Sequence, residues 1–294
     1  FWVQGYGYIS RIPVQMDASS QGIQIWSALA DDTDLMEASN VIESGVFRDI
    51  YQELADQIYQ TAQQSSDKGA ETIRLNGVSR KTAKAALMLI PYGGSYASIL
   101  DAVDNHNHSW PRSARLWLAN KLWVDGRDRL DSLVGMQKQL SRAVINFMSQ
   151  GSDTLSWKTP SGFSVVQQYN KTEVKRVKDM LGKSIYQYHF ETDEPDIRKN
   201  STAFPPNLLH SLDSSLLCRA ITESAREGIF NIMPIHDCVG VLASDAPSVH
   251  SILKSAFDWS IRSELKWYDF VPEGCYTGPK KAERLLTYSD YLFS

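Results

Sequence analysis

Between Ile229 and Ala243 the chain reads Ile229-Phe230-Asn231-Ile232-Met233-Pro234-Ile235-His236-Asp237-Cys238-Val239-Gly240-Val241-Leu242-Ala243. Two short apolar runs flank a His-Asp pair, and neither run is long enough for an ordinary helix. Both are rich in Ile and Val, which suit a pleated, half-buried surface, so the stretch predicts strand, tight turn, strand with Asp237 at the tip. A carboxylate there either faces water as a turn residue or sits in a site with a partner, because burying it alone is costly. A second carboxylate stands in a matching setting far upstream. Ser10 to Asp17 alternates apolar residues like a strand and ends on Asp17, and the small, polar Ala18 to Gly22 follows as a turn. Two carboxylates at adjacent strand ends could share a pair of divalent cations about 3.5–4 Å apart, an arrangement that clamps both oxygens in phosphoryl transfer.

The 294 residues are enough for a large core in one or two domains, and 43% are hydrophobic, so the chain is globular rather than disordered. No run reaches the roughly 18–20 apolar residues of a membrane span, so no membrane role is expected. Cys218, Cys238 and Cys275 share no metal-ligand spacing and fit a reducing, intracellular setting. The net charge of −4 hides a strong asymmetry. Thr72 to Leu100 carries Arg74, Arg80, Lys81 and Lys84 with no acidic residue, whereas acidic residues gather at Asp31 to Glu37 and Glu191 to Asp196. That layout suits local phosphate sites inside an acidic shell. The chain opens on Phe1 rather than Met, which reads as a piece of something longer or a processed product.

The basic stretch is the informative one. Ser79 is a candidate N-cap, the Ala-rich interior favours helix, and Pro91 with Gly93-Gly94 ends it near Tyr92. Arg80, Lys84 and Met88 recur every four residues and so follow one face with about 40° of drift per step. Such a face suits a triphosphate and its sugar; it equally describes a surface helix with two solvated charges. Elsewhere, Val46 to Gln63 reads as a helix with Phe47, Ile50, Tyr51, Leu54 and Ile58 in the core. Asp101 to Pro111 reads as a loop whose His106 and His108 lack a third metal ligand nearby. Arg112 to Ser149 is helical with Trp117, Leu118, Leu122, Trp123, Leu130 and Leu133 inward, and Gly151 to Tyr169 a hairpin turning at Pro160-Ser161-Gly162. Ile185 to Phe190 is a strand, Glu191 to Asp196 a loop, Leu208 to Gly228 and Ala246 to Leu265 helices. The aromatic tail Tyr288 to Ser294 is expected to dock rather than fray.

Taken together, these segments resemble a known set. Asp17-Ala18-Ser19-Ser20-Gln21-Gly22-Ile23-Gln24 looks like motif A of right-hand nucleotide polymerases. Arg80-x3-Lys84-x7-Tyr92-Gly93 looks like motif B, and His236-Asp237 like motif C. The order and spacing resemble the single-subunit RNA polymerases of bacteriophages and mitochondria, with further similarity at Pro206-Asn207-x2-His210-Ser211-x-Asp213 and Pro160-x-Gly162-Phe163-x-Val165. The related DNA polymerases place a Glu five residues after the motif A Asp, where this chain has Gly22. They also carry an aromatic residue within motif B, where this chain has Met88. Both differences imply ribonucleotides.

The resemblance implies an α/β (α+β) fold: an antiparallel palm sheet from residues 1–33 and 206–294, and a mostly helical fingers insert at 34–205. It implies DNA-directed RNA synthesis from rNTPs with two Mg2+ ions held by Asp17, Asp237 and the Ala18 carbonyl. Arg80 and Lys84 would neutralise phosphates, with Lys84 also protonating the leaving pyrophosphate. Tyr92, with Gly22, Met88 and Gly93, would shape the ribose and base-pair pocket, and His210 and His236 would support the RNA end. Phe293 and Ser294 would fold back toward the site. Ala85 and Cys238 depart from common family residues. Because only 16 residues precede Asp17, a second polypeptide carrying the thumb and N-terminal portion is expected, in a split phage enzyme of the host cytoplasm, with mitochondria as the second choice. The partners are then template DNA, product RNA and a single-stranded-DNA or promoter-recruiting factor. A DNA polymerase and a catalytically silent nucleic-acid-binding subunit are the alternatives.

Overall fold

Strand β1 (Val14–Met16) ends where Asp17 leaves the alternating pattern. The computed structural model describes residues 12–178, 185–235, 238–262 and 288–293, and it mixes helices with small antiparallel sheets. Helix α1 (Gln21–Leu29) follows β1 and is buried at every residue. Helix α2 (Thr33–Ala38) is capped by Asp32, whose carboxylate accepts from the Leu35 N–H at 3.0 Å. Helix α3 (Ile50–Gln64) starts four residues later than the apolar pattern suggests. Asp49 supplies the capping acceptor for the Tyr51 and Gln52 amides, and that fixes the first turn. Phe47 therefore lies outside the helix and is 47% exposed, meeting Tyr291 edge-on at 5.5 Å instead of entering the core.

Helix α4 (Lys68–Asn76) stops at Gly77, which takes the left-handed φ of 73° that the turn requires. Helix α5 (Arg80–Leu87) is capped by Ser79 as its sequence predicts. The backbone then tightens into a 3-10 turn over Ile90–Tyr92, and Gly93 closes it at φ 73°. Residues 101–106, read as loop, belong to α6 (Tyr96–His106). A Ser95/Ser98 capping box starts this helix, and Ile99 and Val103, one turn apart, anchor it in the core. Helices α7 (Arg112–Arg129) and α8 (Asp131–Met148) divide the long helical stretch at Leu130. Leu118, Leu122, Leu130 and Leu133 are buried as expected, whereas Trp117 and Trp123 are only half-buried against the core.

The expected hairpin forms from β2 (Leu155–Lys158) and β3 (Ser164–Gln167), with Gly162 at φ 87° in its turn. A second ribbon, β4 (Asn170–Lys178) with β5 (Ile185–Pro195), is almost wholly exposed. The acidic run read as a loop is the inner end of β5. Pairing of Thr172 with Glu191 and the Lys171–Glu194 ion pair at 2.7 Å hold it there. Helix α9 (Ile197–Arg226) begins well before the expected Leu208 and takes Pro205 and Pro206 into its interior. Its cap is Asp196, nine residues upstream of the first proline, accepting from Lys199 N–H at 2.9 Å.

Strands β6 (Ile232–Ile235) and β7 (Cys238–Val241) pair antiparallel, and β1 joins the other edge of β7. Helix α10 (Ala246–Arg262) and the segment 288–293 complete the described chain. A continuous core runs beneath, with Trp26, Phe204, Phe257 and Phe293 fully enclosed. Among the described residues, no helix is long and apolar enough to cross a membrane.

Candidate active site

The site is built where the end of β1 meets the end of α5. Met16 pairs with Val239, so the same register carried one step further sets Asp17 level with Cys238. His236, Asp237 and Ser294 lie outside the described residues. Asp17 is exposed, while the next residue, Ala18, is buried and forms a β-bridge with Phe293. Gln24 fixes this loop from below, its Nε2 donating to Ser19 Oγ at 2.9 Å, Ser39 O at 3.0 Å and Leu292 O at 3.1 Å. The tail expected to dock does so. His250 Nε2 lies 3.2 Å from the Asp290 carbonyl and 3.1 Å from that of Phe293, and Lys254 pairs with Asp290 at 2.8 Å.

An open pocket of about 560 Å³ brings the two motifs together. Asp17, Ala18 and Gly22 line it together with Lys84, Met88, Tyr92 and Tyr51. Its wall is tied through one backbone carbonyl. Trp26 Nε1 donates to Pro91 O at 3.0 Å and Gln137 Nε2 to the same oxygen at 2.8 Å, which holds the turn bearing Tyr92. The Tyr92 ring stacks on His210, centroids 5.2 Å apart and planes 27° apart. Gly22 has a second reason to lack a side chain: a Cβ there would lie 3.0 Å from Pro91 Cβ and from Tyr92 Cε2.

Arg80 lies in an adjoining pocket with Ser20, Asn40, Arg48, Asp49 and Tyr51. Its Nε pairs with Asp49 Oδ2. The Arg80 guanidinium and Lys84 Nζ stand 5.5 and 5.7 Å from the centroid of the Tyr51 ring. Burial pushes the Tyr51 phenol well above its ordinary range; Arg80 opposes the shift, while Asp49, Tyr92 and Asp17 add to it. Gly93 follows Tyr92 in a left-handed turn, and a Cβ there would lie 3.8 Å from the Thr202 carbonyl oxygen.

Of the expected site residues, Asp17, Ala18, Gly22, Lys84, Met88 and Tyr92 share this pocket, Arg80 lines the adjoining one, and Gly93 and His210 line neither; Tyr51, expected as plain core, and Asp49 join them, and His250 holds the tail. Tyr51 is core by periodicity and a cation platform by position. The one signal for Asp49 was an Asp before an apolar helix, which announces a cap and nothing about Arg80. Among the described residues no group of three His, Cys, Asp or Glu could hold a metal, His106 and His108 included. The donors that Asp17 and Ala18 bring are hard oxygens, a set that suits Mg2+ with few protein ligands rather than zinc.

Residues 3–258 match the family model described as DNA-dependent RNA polymerase. The mitochondrial DNA-directed RNA polymerase of Mus musculus is 28% identical over 85% of this chain and 21% of its own length. The DNA-directed RNA polymerase of Pseudomonas phage phiKMV is 30% identical over 85% of this chain and 33% of its own. For DNA-directed RNA polymerase 2A of Nicotiana tabacum the values are 27%, 85% and 79%. The chain spans about a fifth to a third of the mouse and phage relatives. With more than half its length matched by the family model, the chain belongs to the DNA-dependent RNA polymerase family.

Proposed function

We propose that this chain carries the nucleotide-addition site of a DNA-directed RNA polymerase, transferring ribonucleotides from rNTPs to an RNA 3′-OH on a DNA template and releasing pyrophosphate. The observation that carries the reading is the single pocket lined by Asp17, Ala18, Gly22, Lys84, Met88 and Tyr92. In this reading residues 1–33 and 206–294 form the palm and 34–205 the fingers. Asp17, Asp237 and the Ala18 carbonyl would hold two Mg2+ ions, which when bound lower the pKa of the 3′-OH and take up charge on the pyrophosphate.

The protein's own groups do the rest. Lys84 lines the same pocket as Asp17, where its ammonium balances the phosphates and can give a proton to the leaving group. Arg80 adds charge from the neighbouring pocket. Tyr92, backed by His210, presents a flat apolar face to the incoming base pair and its hydroxyl to the ribose. The absence of a side chain at Gly22 leaves room for the ribose 2′-OH, and Met88, 42% exposed, borders the same space. Gly93 provides the turn that sets Tyr92, and His236 supports the RNA end beside Asp237.

The test is primer extension on a DNA template by the polymerase assembly that contains this chain. Extension with rNTPs, lost in Asp17→Asn and in Asp237→Asn with template binding intact, is the expected result. Extension with dNTPs alone would move the protein to the DNA polymerases. Tight template binding with no extension from either would make it a silent subunit.

A further inference from the structure

We propose that Asp49 is the resting counter-ion of Arg80: it holds the guanidinium until a triphosphate arrives, and reclaims it as pyrophosphate departs. The inference rests on the nucleotide site proposed above. Asp49 uses its two oxygens differently. Oδ1 accepts from the Tyr51 and Gln52 amides at 3.2 and 3.1 Å and so is fixed to the first turn of α3. Oδ2 faces Arg80. Helix α3 is anchored by Ile50, Leu54 and Ile58, all nearly inaccessible, so the carboxylate cannot follow the arginine when it moves.

Arg80 is free to move. Its side chain is 45% exposed, and beneath it lies the Tyr51 ring, against which a guanidinium keeps favourable contact without a fixed direction. The neighbouring cations differ. Arg48 is committed to Glu53 by two bonds of 2.8 and 2.6 Å, and Lys84 already lines the pocket with Asp17. Ser20 is 7% exposed and lines both pockets, and its hydroxyl has no protein partner, which leaves a polar group available to an incoming phosphate oxygen.

Asp49 therefore works against anion binding. A triphosphate reaching Arg80 either breaks the ion pair or binds beside a like charge. The same opposition weakens the hold on pyrophosphate and so favours its release. For a partly exposed pair the opposing effect is about two- to fivefold in affinity.

The experiment compares Asp49→Asn, Asp49→Ser and Arg80→Gln in the assembly that contains this chain. Asn and Ser both keep a neutral oxygen for the α3 cap, so a variant that folds poorly leaves the other to be read. The expected result for both is a KM for rNTP and an inhibition constant for pyrophosphate each lowered about two- to fivefold, with the gain fading as salt is raised. Arg80→Gln raises both constants. If the Asp49 variants leave the two constants unchanged or raise them while Arg80→Gln raises KM, the counter-ion role is wrong and the nucleotide site stands. If Arg80→Gln and Lys84→Gln both leave KM unchanged, the nucleotide site itself is wrong.

Discussion

The Pro91 carbonyl offers a direct test of what holds the site together. It accepts from two side chains, Trp26 Nε1 at 3.0 Å and Gln137 Nε2 at 2.8 Å, and Gln137 also reaches the Ile90 carbonyl at 3.2 Å. Trp26 is fully buried and Gln137 half-buried. Trp26→Phe removes one hydrogen bond, about 1 kcal/mol, and leaves a small cavity of about the same cost, for roughly 2 kcal/mol in total. Gln137→Ala costs about 1 kcal/mol, because Trp26 still satisfies Pro91. In the double variant the carbonyl has lost both donors inside a packed wall, and an orphaned buried acceptor costs about 1–3 kcal/mol. The pair should therefore exceed the sum of the single changes by about 1 kcal/mol. Urea unfolding of the four proteins closes the cycle, with m values compared to confirm that the same transition is measured. Additivity within about 0.5 kcal/mol would show that the two bonds act independently, and the account of the wall would be wrong.

Three further outcomes are expected. Burial first, and the hydrogen bond to Asp258 second, push the Tyr288 phenol above its ordinary value near 10, as burial does for Tyr51. The native state keeps these protons while the unfolded chain releases them, so stability is fully present below about pH 10 and falls as pH rises beyond it; Tyr288→Phe should flatten part of that fall in urea titrations between pH 9 and 11. Asp196→Ala should cost about 1 kcal/mol by removing the α9 cap, and Asp196→Asn almost nothing, both read from thermal unfolding. Gly93→Ala, forced into φ 73°, should cost about 1–2 kcal/mol and raise the KM for rNTP as Tyr92 shifts; an unchanged KM would detach this turn from the nucleotide pocket.

What was legible in the sequence was local. Asp17 announces itself by following an alternating apolar run, and Lys84 and Tyr92 by their spacing along one helix and its proline-marked end, whereas Asp237 lies outside the described residues. The β2–β3 turn, the break at Pro91 and the docked tail follow from composition over a few residues. The misreadings share a cause. The inner end of β5 looks like an acidic loop until Lys171 and Thr172 on the neighbouring strand supply its partners. The start expected at Leu208 follows Pro205 and Pro206, whose missing N–H groups are a strong local break signal, whereas the true α9 cap at Asp196 is a weaker one. Asp49 and Arg80 are 31 residues apart, and no periodicity links them.

The anchors of the site also share a form. The loop after Asp17 is held by the Ala18–Phe293 bridge and by Gln24 on the Ser39 and Leu292 carbonyls. The tail making that bridge is held by His250 on two more carbonyls, and the turn before Tyr92 by Trp26 and Gln137 on another. Gln24, His250, Trp26 and Gln137 each fix a backbone oxygen from outside the pocket, beside the Ala18–Phe293 bridge and the side-chain contacts Gln24–Ser19 and Lys254–Asp290. The loop after Asp17 and the turn before Tyr92 are thereby set in place largely through their backbone. Asp49 holds a cation of the site directly, through an ion pair with Arg80. An ion pair yields to a competing charge far more readily than a backbone carbonyl gives up its donors. That contrast is why Arg80, alone among the cations discussed here, is placed to change partner during a reaction cycle.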